Sequence, residues 1–459
     1  MKFVKTVLVS FIICITLSCK IGTDNPPASV TPDTGRFNIQ QLQEDFQLFR
    51  DLLENNHPAI YLYESKENFD LMFDSAYASI TREMTEVEFF RLLAPLVAKV
   101  NCGHTFIDFS DNYKQYRINN VKLLPLGVAF LNGKAYIYQN FSRNSGIMPG
   151  TEILSINNTP VASILETLLN GIPSDGLIET SKYWKINRYF FSLYSELIDN
   201  PDDFELRCII PGETDEYTLS IEALPYNDVW RTYRTLAPDP PGSSLFLEVI
   251  ESTGTAILTV KSFGTLVALD FKSYMQTSFQ AIIGRNLKNL VIDLRGNGGG
   301  DPENGADLIS YLIDYPFIYF SEGIPQAYSS LWSPKDPHET NFNGNVYFLI
   351  DGGCFSTTGH FCSLAQFHNL GIFIGEETGG SFYCNDGHVN RLLPNTGINL
   401  QYARTTWATA VSGYVKGRGI MPDYTVNSSL DDLINGFDRQ MAYVLNLIAS
   451  GTSKTTDTH

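Results

Sequence analysis

The stretch LIDGGCFSTTGH at residues 349–360 decides the fold, because an apolar strand runs into paired glycines and then into a serine that opens a helix. A helix amino terminus offers N–H groups without partners and the positive end of the helix dipole. An oxyanion formed by attack of Ser356 on a carbonyl would be stabilised there. The pattern predicts a nucleophile; the alternative is that Ser356 is only an N-cap, a position that serine often takes.

A second glycine-rich turn lies upstream, in LVIDLRGNGGGD at residues 290–301, where another buried-strand pattern ends before a helical stretch at 304–313. Glycines tolerate positive φ and have no Cβ, so the N–H groups of such a turn can approach a ligand closely. We expect the N–H of Gly298 or Gly299 to complete an oxyanion hole with that of Thr357. The turn lacks the Lys-Ser/Thr pair of a phosphate loop, so a nucleotide site is disfavoured.

Three further motifs accompany these turns. They are Asn-Cys-Gly-His-Thr at 101–105, GEETGG at 375–380 and GRGIMPD at 417–423. In this order the motifs resemble the carboxyl-terminal-processing and tricorn-type serine peptidases, the tail-specific proteases, over most of the mature chain. The resemblance implies an α/β fold, with a ClpP/crotonase-like peptidase core, an amino-terminal helical domain and a PDZ-like domain.

The resemblance also implies catalytic roles. Ser356 would be the nucleophile and His104 the general base, with the oxyanion donors named above. A Ser/Lys dyad is excluded at its usual place, because the lysine of the processing proteases aligns with Ser381. Serine has no base that titrates near neutral pH, so the Ser/His arrangement is the one that this sequence keeps.

The group that orients His104 is left open. The orienting glutamate of tricorn-type members aligns approximately with Lys416, which cannot accept the imidazole N–H. A backbone carbonyl or one of Glu376, Glu377 and Asp386 would take this role instead. Otherwise the enzyme works as a slower dyad, or this copy is catalytically weak.

Two hypotheses for function follow from the motifs. The first is a serine endopeptidase that acts on a peptide or protein substrate and needs no cofactor. The second is a non-catalytic ligand- or peptide-binding protein on a degenerate peptidase core, since the lysine and the glutamate are absent and relatives of this fold bind apolar ligands without proteolysis. Fluorophosphonate labelling separates the two, because it reports an activated serine whatever the substrate.

The beginning of the chain predicts export. Residues 1–18 place lysines before a short apolar run, which is typical of a secretory signal peptide. Thr-Leu-Ser-Cys at 16–19 resembles a bacterial lipobox, so we expect Cys19 to be lipidated and residues 19–36 to form a tether. The interpretation is a periplasmic or surface-exposed lipoprotein of a Gram-negative cell envelope; the alternative is an ordinary signal peptide with an incidental cysteine.

Changes in the hydrophobic pattern along the chain predict domains. Helical stripes indicate a helical domain that carries the Gly-His motif, and short alternating strands with a Pro-Gly turn indicate the PDZ-like domain. Strands that alternate with helices indicate the α/β serine peptidase core. The predicted bounds are 37–118 for the helical domain, 119–224 for the PDZ-like domain, 225–242 for a linker, 243–446 for the core with a loop insertion at 315–343, and 447–459 for a flexible tail.

Composition excludes some classes of function. The 459 residues carry a formal net charge of −18, and the sequence pI is about 4.8, so no basic stripe is present to bind nucleic acid. Five cysteines follow Cys19, an odd count that leaves at least one unpaired in an oxidising compartment. No metal site is predicted, because the cysteines and histidines near one another fit no compact zinc finger. These residues are Cys354, His360, Cys362, Cys384 and His388.

Overall fold

The computed structural model describes residues 35–236, 244–264, 270–321 and 326–451. The predicted signal peptide, Cys19 and all but the end of the predicted tether lie outside these ranges, as does most of the predicted tail. Within the described ranges, no helix is both long enough and apolar enough to span a bilayer.

The first part of the chain is helical, as the hydrophobic stripes predict. Its elements are α1 (Ile39–Asn56), α2 (Lys66–Ala78), α3 (Glu86–Ala98), β1 (Phe106–Asp108) and α4 (Asp111–Asn120). Helices α1 and α3 both begin at capping boxes, formed by Asn38 with Gln41 and by Thr85 with Glu88. Their apolar faces enclose a core rich in phenylalanine, which includes Phe46, Phe49, Phe69, Phe73 and Phe89.

The second part of the chain is an antiparallel sheet covered by helices. Its elements are β2 (Lys122–Leu123), β3 (Leu126–Leu131), β4 (Lys134–Asn140), β5 (Glu152–Ile156), β6 (Thr159–Pro160), α5 (Val161–Gly171), α6 (Thr180–Leu197), β7 (Asp203–Ile209), β8 (Glu216–Glu222), β9 (Leu224–Pro225) and α7 (Tyr226–Leu236). The strands follow the order β3-β4-β5-β7-β8, and α5 and α6 share one core with them. The PDZ-like character of this part stays a prediction.

The linker predicted at 225–242 is wrong in its first half, because Tyr226–Leu236 forms α7. After Pro225 the prolines resume only at Pro238. Between them, Trp230 packs edge-on against Phe191 of α6, with ring centroids 5.0 Å apart. Aromatic packing therefore orders a segment that proline content marked as a linker.

The third part of the chain is built on a mostly parallel sheet. Its elements are β10 (Leu245–Ile250), β11 (Thr255–Val260), α8 (Phe271–Gly284), β12 (Asn289–Asp293), α9 (Pro302–Ser310), β13 (Asn345–Ile350), α10 (Thr357–Phe367), β14 (Ile372–Gly375), β15 (Tyr383–Asp386), β16 (Val389–Leu392), β17 (Asn399–Tyr402), β18 (Thr405–Ala408), β19 (Tyr424–Thr425), α11 (Leu430–Asn435) and α12 (Arg439–Ala449). The sheet order is β10-β11-β12-β13-β14-β19, in which β10 alone is antiparallel to its neighbour.

Helices cover both faces of this sheet, as its continuously apolar strands require. Helices α8, α9 and α10 share a core with Phe348 on one face, whereas Val444 of α12 packs with Val291 and Leu349 on the other. Carboxyl ends of parallel strands meet at one edge, so the loops after β12 and β13 lie side by side. The Leu294 N–H donates to the Leu349 carbonyl there at 3.0 Å.

The third part of the chain also completes the first. Strand β1 pairs with β17, which pairs with β16. The buried carboxylate of Asp45 on α1 accepts the N–H groups of Asn395 at 2.9 Å and of Thr396 at 2.8 Å. The helical region predicted at 37–118 therefore depends on strands that follow far later in the sequence.

Two predicted boundaries shift in the structure. The helical stretch at 304–313 is α9, which begins after the N-cap Asp301 and ends at Ser310. The boundary between the core at 446 and the tail at 447 is wrong, because α12 continues to Ala449 and its Leu447 and Ile448 pack on the sheet. The predicted insertion at 315–343 contains a short 3-10 helix, Gln326–Trp332.

Candidate active site

Ser356 stands on a sharp turn between β13 and α10. Its backbone has φ 55° and ψ −126°, a sparsely populated region that costs a residue other than glycine about 1–3 kcal/mol. Ser356 takes the N-cap position of α10, but its side chain makes no capping hydrogen bond to the helix, so capping does not account for the hydroxyl. A serine on a strained strand-to-helix turn is the arrangement of a nucleophile elbow.

The carboxylate of Asp351 joins the two glycine turns beneath this serine. Its Oδ1 accepts the N–H of Gly353 at 2.9 Å and that of Gly296 in the upstream turn at 2.8 Å. Its Oδ2 accepts the indole N–H of Trp184 on α6 at 2.9 Å. Contacts from both turns and from the second part of the chain thus hold the strained backbone in place.

The upstream glycine turn closes on Ser356 from one side. A Cβ on Gly299, whose φ is 103°, would lie 2.7 Å from the Cβ of Ser356. The N–H of Gly299 donates to Asn297 Oδ1 at 2.9 Å, so it is occupied. A Cβ on Gly298 would meet no atom within 4 Å, and Thr357 is the first residue of α10, where the N–H has no intrahelical partner. Of the alternatives predicted for the oxyanion donors, the geometry favours Gly298 with Thr357, and Gly299 provides the close approach.

His104 reaches Ser356 from a position 252 residues earlier in the chain, and its Nε2 lies 3.0 Å from Ser356 Oγ. A general base must lie within this hydrogen-bond reach of the proton that it takes. The Gly-His turn is fixed by the end of β17, where Gln401 donates to the His104 carbonyl and the Ala403 N–H donates to Thr105 Oγ1, both at 3.1 Å. The predicted juxtaposition of His104 and Ser356 is present.

The imidazole is packed as well as hydrogen-bonded. The ring of Phe355 lies 4.5 Å from that of His104, centroid to centroid, with planes 32° apart. A Cβ on Gly103 would come within 2.6 Å of the Phe355 ring, so only glycine permits this packing. Phe355, the residue before Ser356, therefore positions the ring of His104.

Two of the three acidic candidates for orienting His104 are wrong. Glu377 pairs with Arg418 through bonds of 2.8 and 3.0 Å and accepts the Gly419 N–H at 2.9 Å. Glu376 lies beside Asp351; burial, with the charge of Asp351, raises the pKa of Glu376 to about 7. Neither carboxylate forms a hydrogen bond or ion pair with His104 in the described residues.

Asp386 is the acidic candidate that reaches His104, but from the side of the nucleophile. Its Oδ2 lies 3.5 Å from His104 Nε2, the nitrogen that faces Ser356, and its Oδ1 lies 2.6 Å from His388 Nδ1. Burial opposes ionisation of Asp386, yet the hydrogen bond with His388 and the nearby His104 lower its pKa. Asp386 is thus an anion next to the dyad that leaves the far side of the ring unsupported.

The other ring nitrogen of His104, Nδ1, is buried and has no hydrogen-bond partner within the described ranges. The adjacent Gly103 N–H donates to Asp175 Oδ1 at 2.7 Å. Asp175 lies between α5 and α6, and the sequence motifs did not single it out, because its Pro-Ser-Asp-Gly segment reads only as a turn.

The positions of the missing lysine and glutamate have structural roles. Ser381 is buried, and its hydroxyl donates to the Arg418 carbonyl at 2.6 Å. Lys416 lies on the surface with its Nζ 4.3 Å from the centroid of the Tyr383 ring. Neither residue contacts His104 or Ser356 in the described part of the chain, and neither supplies a base.

The cysteines of the described chain are all free and buried. Burial raises the pKa of Cys102 to about 12, so its thiol stays protonated. Cys384 Sγ lies 3.4 Å from His360 Nε2, and burial lowers the pKa of His360 to about 3. Among the described residues, the group of potential metal ligands that comes together is Cys102, His104 and Asp175, with ligand atoms within 4.8 Å of one another.

Comparison with known proteins agrees with this geometry. Residues 254–426 match the profile described as Peptidase family S41. Mature CPAF superposes with a TM-score of 0.64 at 16% identity, covering 90% of this chain and 99% of that chain. Mature CPAF complexed with lactacystin superposes with a TM-score of 0.66 at 16% identity, with the same coverage of 90% and 99%. At 16% identity the likeness to CPAF shows that the two chains share a fold. No curated protein matches the sequence.

Residues 254–426 match the S41 peptidase family, so the resemblance to tail-specific peptidases seen in the motifs is confirmed for this part of the chain. The predicted α/β peptidase fold with a helical amino-terminal region is confirmed with it.

Proposed function

We propose that the protein is a serine endopeptidase that hydrolyses peptide bonds in peptides or proteins through Ser356 and His104. The observation that carries the proposal is the 3.0 Å separation of Ser356 Oγ and His104 Nε2 on a strained elbow. Two separate parts of the fold converge to make this contact. A residue that served only to cap α10 would need neither the strain nor the histidine.

The geometry supports a two-step acyl transfer. His104 Nε2 takes the hydroxyl proton while Ser356 Oγ attacks the peptide carbonyl carbon, and the N–H groups of Gly298 and Thr357 donate to the oxyanion. The C–N bond breaks as His104 returns the proton to the leaving amine. Water then adds to the acyl ester by the same route, which releases the acid and restores Ser356.

Fluorophosphonate labelling with peptide mapping tests the proposal. We expect the probe to modify Ser356 in the wild type, to modify nothing in Ser356→Ala, and to react far more slowly with His104→Gln. The control is Ser163→Ala, which removes an exposed hydroxyl on α5 and should label as the wild type does. A wild type that is never labelled and cleaves no peptide would favour the non-catalytic ligand- or peptide-binding alternative.

We further propose that the mature chain is an envelope lipoprotein anchored through Cys19, on the lipobox-like sequence at 16–19. More than one acyl chain on a cysteine gives stable anchoring, whereas one chain is marginal. Cys19→Ser should release the protein from the membrane fraction or block its processing, and the control Cys14→Ser should not. A wild type found soluble with a free amino terminus beyond Cys19 contradicts the proposal.

A further inference from the structure

Two neighbouring side chains behind the proposed dyad, those of His104 and Asp175, each have a buried polar atom without a hydrogen-bond partner among the described residues. Within the described residues, neither Nδ1 of His104 nor Oδ2 of Asp175 has a hydrogen-bond partner. A ring nitrogen of His104 and a carboxylate oxygen of Asp175 are within 4.8 Å of each other. Since Nε2 is occupied by Ser356, Nδ1 is the ring nitrogen left for the carboxylate. A buried polar atom without a hydrogen-bond partner destabilises the fold. A donor and an acceptor that both lack a partner at the same place are therefore expected to bond to each other.

The backbone holds Asp175 against the turn that carries His104. Asp175 Oδ1 accepts the Gly103 N–H at 2.7 Å, and the Gly176 N–H donates to the Asn101 carbonyl at 2.9 Å. Gly176 has φ 57°, and a Cβ there would lie 2.2 Å from the Cα of Gly417. The turn that contains Asp175 is thus held by Asn101 on one side and by Gly417 on the other. Oδ1 of Asp175 is bonded to the Gly103 N–H, and Oδ2 is free to accept another hydrogen bond.

The buried carboxylate of Asp175 is in surroundings that favour a neighbour that gains a positive charge, as the His104 imidazole does when it is protonated. Burial raises the pKa of Asp175, while the nearby His104 and the Gly103 N–H act against that rise. Burial also lowers the pKa of Lys185 on α6 to about 8, and its Nζ donates to the Pro173 carbonyl at 3.1 Å. Other titratable groups that interact electrostatically with Asp175 include Asp386, Tyr63, Cys102 and Cys384.

We infer that Asp175 is the positioning residue for His104. Its Oδ2 accepts the Nδ1–H, which selects the tautomer whose Nε2 lone pair faces Ser356. When Nε2 takes the serine proton, the carboxylate stabilises the imidazolium that forms in a buried place. The inference rests on the proposed function, and it adds Asp175 to Ser356 and His104 as the third residue of the proton transfer. Apo separations of such pairs are often long and shorten when substrate binds.

The other two uses of these groups fit the structure less well. Asp386 approaches Nε2 rather than Nδ1 and is already paired with His388. A cation held by Cys102, His104 and Asp175 would have to displace the thiol proton of Cys102, which Cys102 donates to the Asn385 carbonyl with Sγ 3.4 Å from the oxygen. A carboxylate that acts on the histidine alone accounts for the geometry without a thiolate.

The test compares Asp175→Asn with Asp386→Asn in the full-length chain. The amide oxygen of asparagine can still accept the Gly103 N–H, so the fold keeps that bond, but an N–H now faces Nδ1. We expect Asp175→Asn to lower kcat by about 100-fold or more with little change in KM, because Asp175 does not touch substrate. The acidic limb of its kcat/KM profile should move to lower pH, since the imidazolium loses its counter-charge. A merely structural role would leave that limb in place.

A second measurement keeps the inference separate from the proposed function. In histidine-labelled protein, NMR should show a low-field Nδ1 proton of His104 that disappears in Asp175→Asn and in His104→Gln but persists in Asp386→Asn. If the wild type cleaves no peptide and is not labelled by the fluorophosphonate, the proposed function is wrong. The Nδ1 proton resonance alone then decides the inference. If Asp175→Asn does not fold, the wild-type resonance decides it, and its absence overturns the inference.

Two kinetic outcomes also overturn it. One is an Asp175→Asn enzyme with the kcat and the acidic limb of the wild type. The other is activity that a chelator removes and Zn²⁺ restores, because it would assign the same three side chains to a metal.

Discussion

The indole N–H of Trp184 donates to Oδ2 of Asp351 across 2.9 Å, so a helix of the second part of the chain holds the turn on which Ser356 stands. The other oxygen of that carboxylate binds one N–H from each glycine turn. The turn that carries Ser356 is therefore held by a carboxylate whose two oxygens accept these three N–H groups. The position of Ser356 therefore depends on the packing of α6 against this turn as well as on the parallel sheet.

Replacing Asp351 tests this arrangement. Asp351→Ala leaves three N–H groups without their acceptor, and each such loss costs about 1–3 kcal/mol. We expect the free energy of unfolding in urea to fall by about 3 kcal/mol or more and the fluorophosphonate rate to fall with it. The control is Asp336→Ala, at an exposed position. Equal stability of the two variants would show that the carboxylate does not hold the turns.

The strain at Ser356 predicts that removing the nucleophile does not weaken the fold. Ser356→Gly should raise the free energy of unfolding by about 1 kcal/mol, because glycine adopts φ 55° without the cost paid by serine. Ser356→Ala keeps the strain, loses no cap bond and loses only the hydrogen bond to His104, so its free energy of unfolding should stay within about 1 kcal/mol of the wild type. Both variants should lack peptidase activity. A clear loss of stability in Ser356→Ala, measured by urea unfolding, would mean that the hydroxyl has a structural role.

Alanine substitutions at the neighbouring residues Gly298 and Gly299 should have different effects on activity. Gly298→Ala adds a methyl group to open space at a backbone conformation open to any residue, and the N–H remains. We expect it to keep most of the activity. Gly299→Ala places a Cβ 2.7 Å from that of Ser356 at φ 103°, so it should lower kcat/KM by about 100-fold or more and destabilise the fold. If both variants cleave at equal rates, the close approach of this turn is not required.

Glu376 predicts a pH dependence of stability. Its pKa in the fold, about 7, lies above the ordinary value of 4.5. A carboxyl with a raised pKa stabilises the fold below its ordinary pKa, and the contribution is lost as the pH rises through the raised value. Glu376→Gln stays neutral, so its advantage in the free energy of unfolding over the wild type should grow between pH 4.5 and about 7. The exposed Glu166→Gln is the control, and a constant difference across that range would contradict the assignment.

The sequence predicted the catalytic edge of the sheet well, because each motif there is local. A buried strand, a glycine turn and a helix start follow one another at 290–301 and again at 349–360. Parallel strands bring such turns to one edge of a sheet, so Ser356 and Gly299 could be placed together without coordinates. His104 was placed by the resemblance of its motif to tricorn-type members.

Asp175 was missed because its role depends on contacts that are remote in sequence. Its Pro-Ser-Asp-Gly segment is an ordinary turn, and only the packing of that turn on Asn101 and Gly417 brings its carboxylate to His104. The pattern Asp-Gly between two amphipathic helices gives no sign of this. Helix α7 was missed for a related reason, since its order comes from aromatic contacts with α6 that proline content does not report.

Under the proposed function, the separation of His104 and Ser356 by 252 residues also decides when the chain can act as a peptidase. A contact across so long a loop forms only after the segments between have been synthesised and folded, since its closure entropy must be repaid by packing. A growing chain, a chain in transit across a membrane, or a fragment cut between the two residues has a serine without a base or a base without a serine. The proposed peptidase activity is therefore a property of the finished protein only, and an unfolded precursor would meet no active copy until one chain has folded completely.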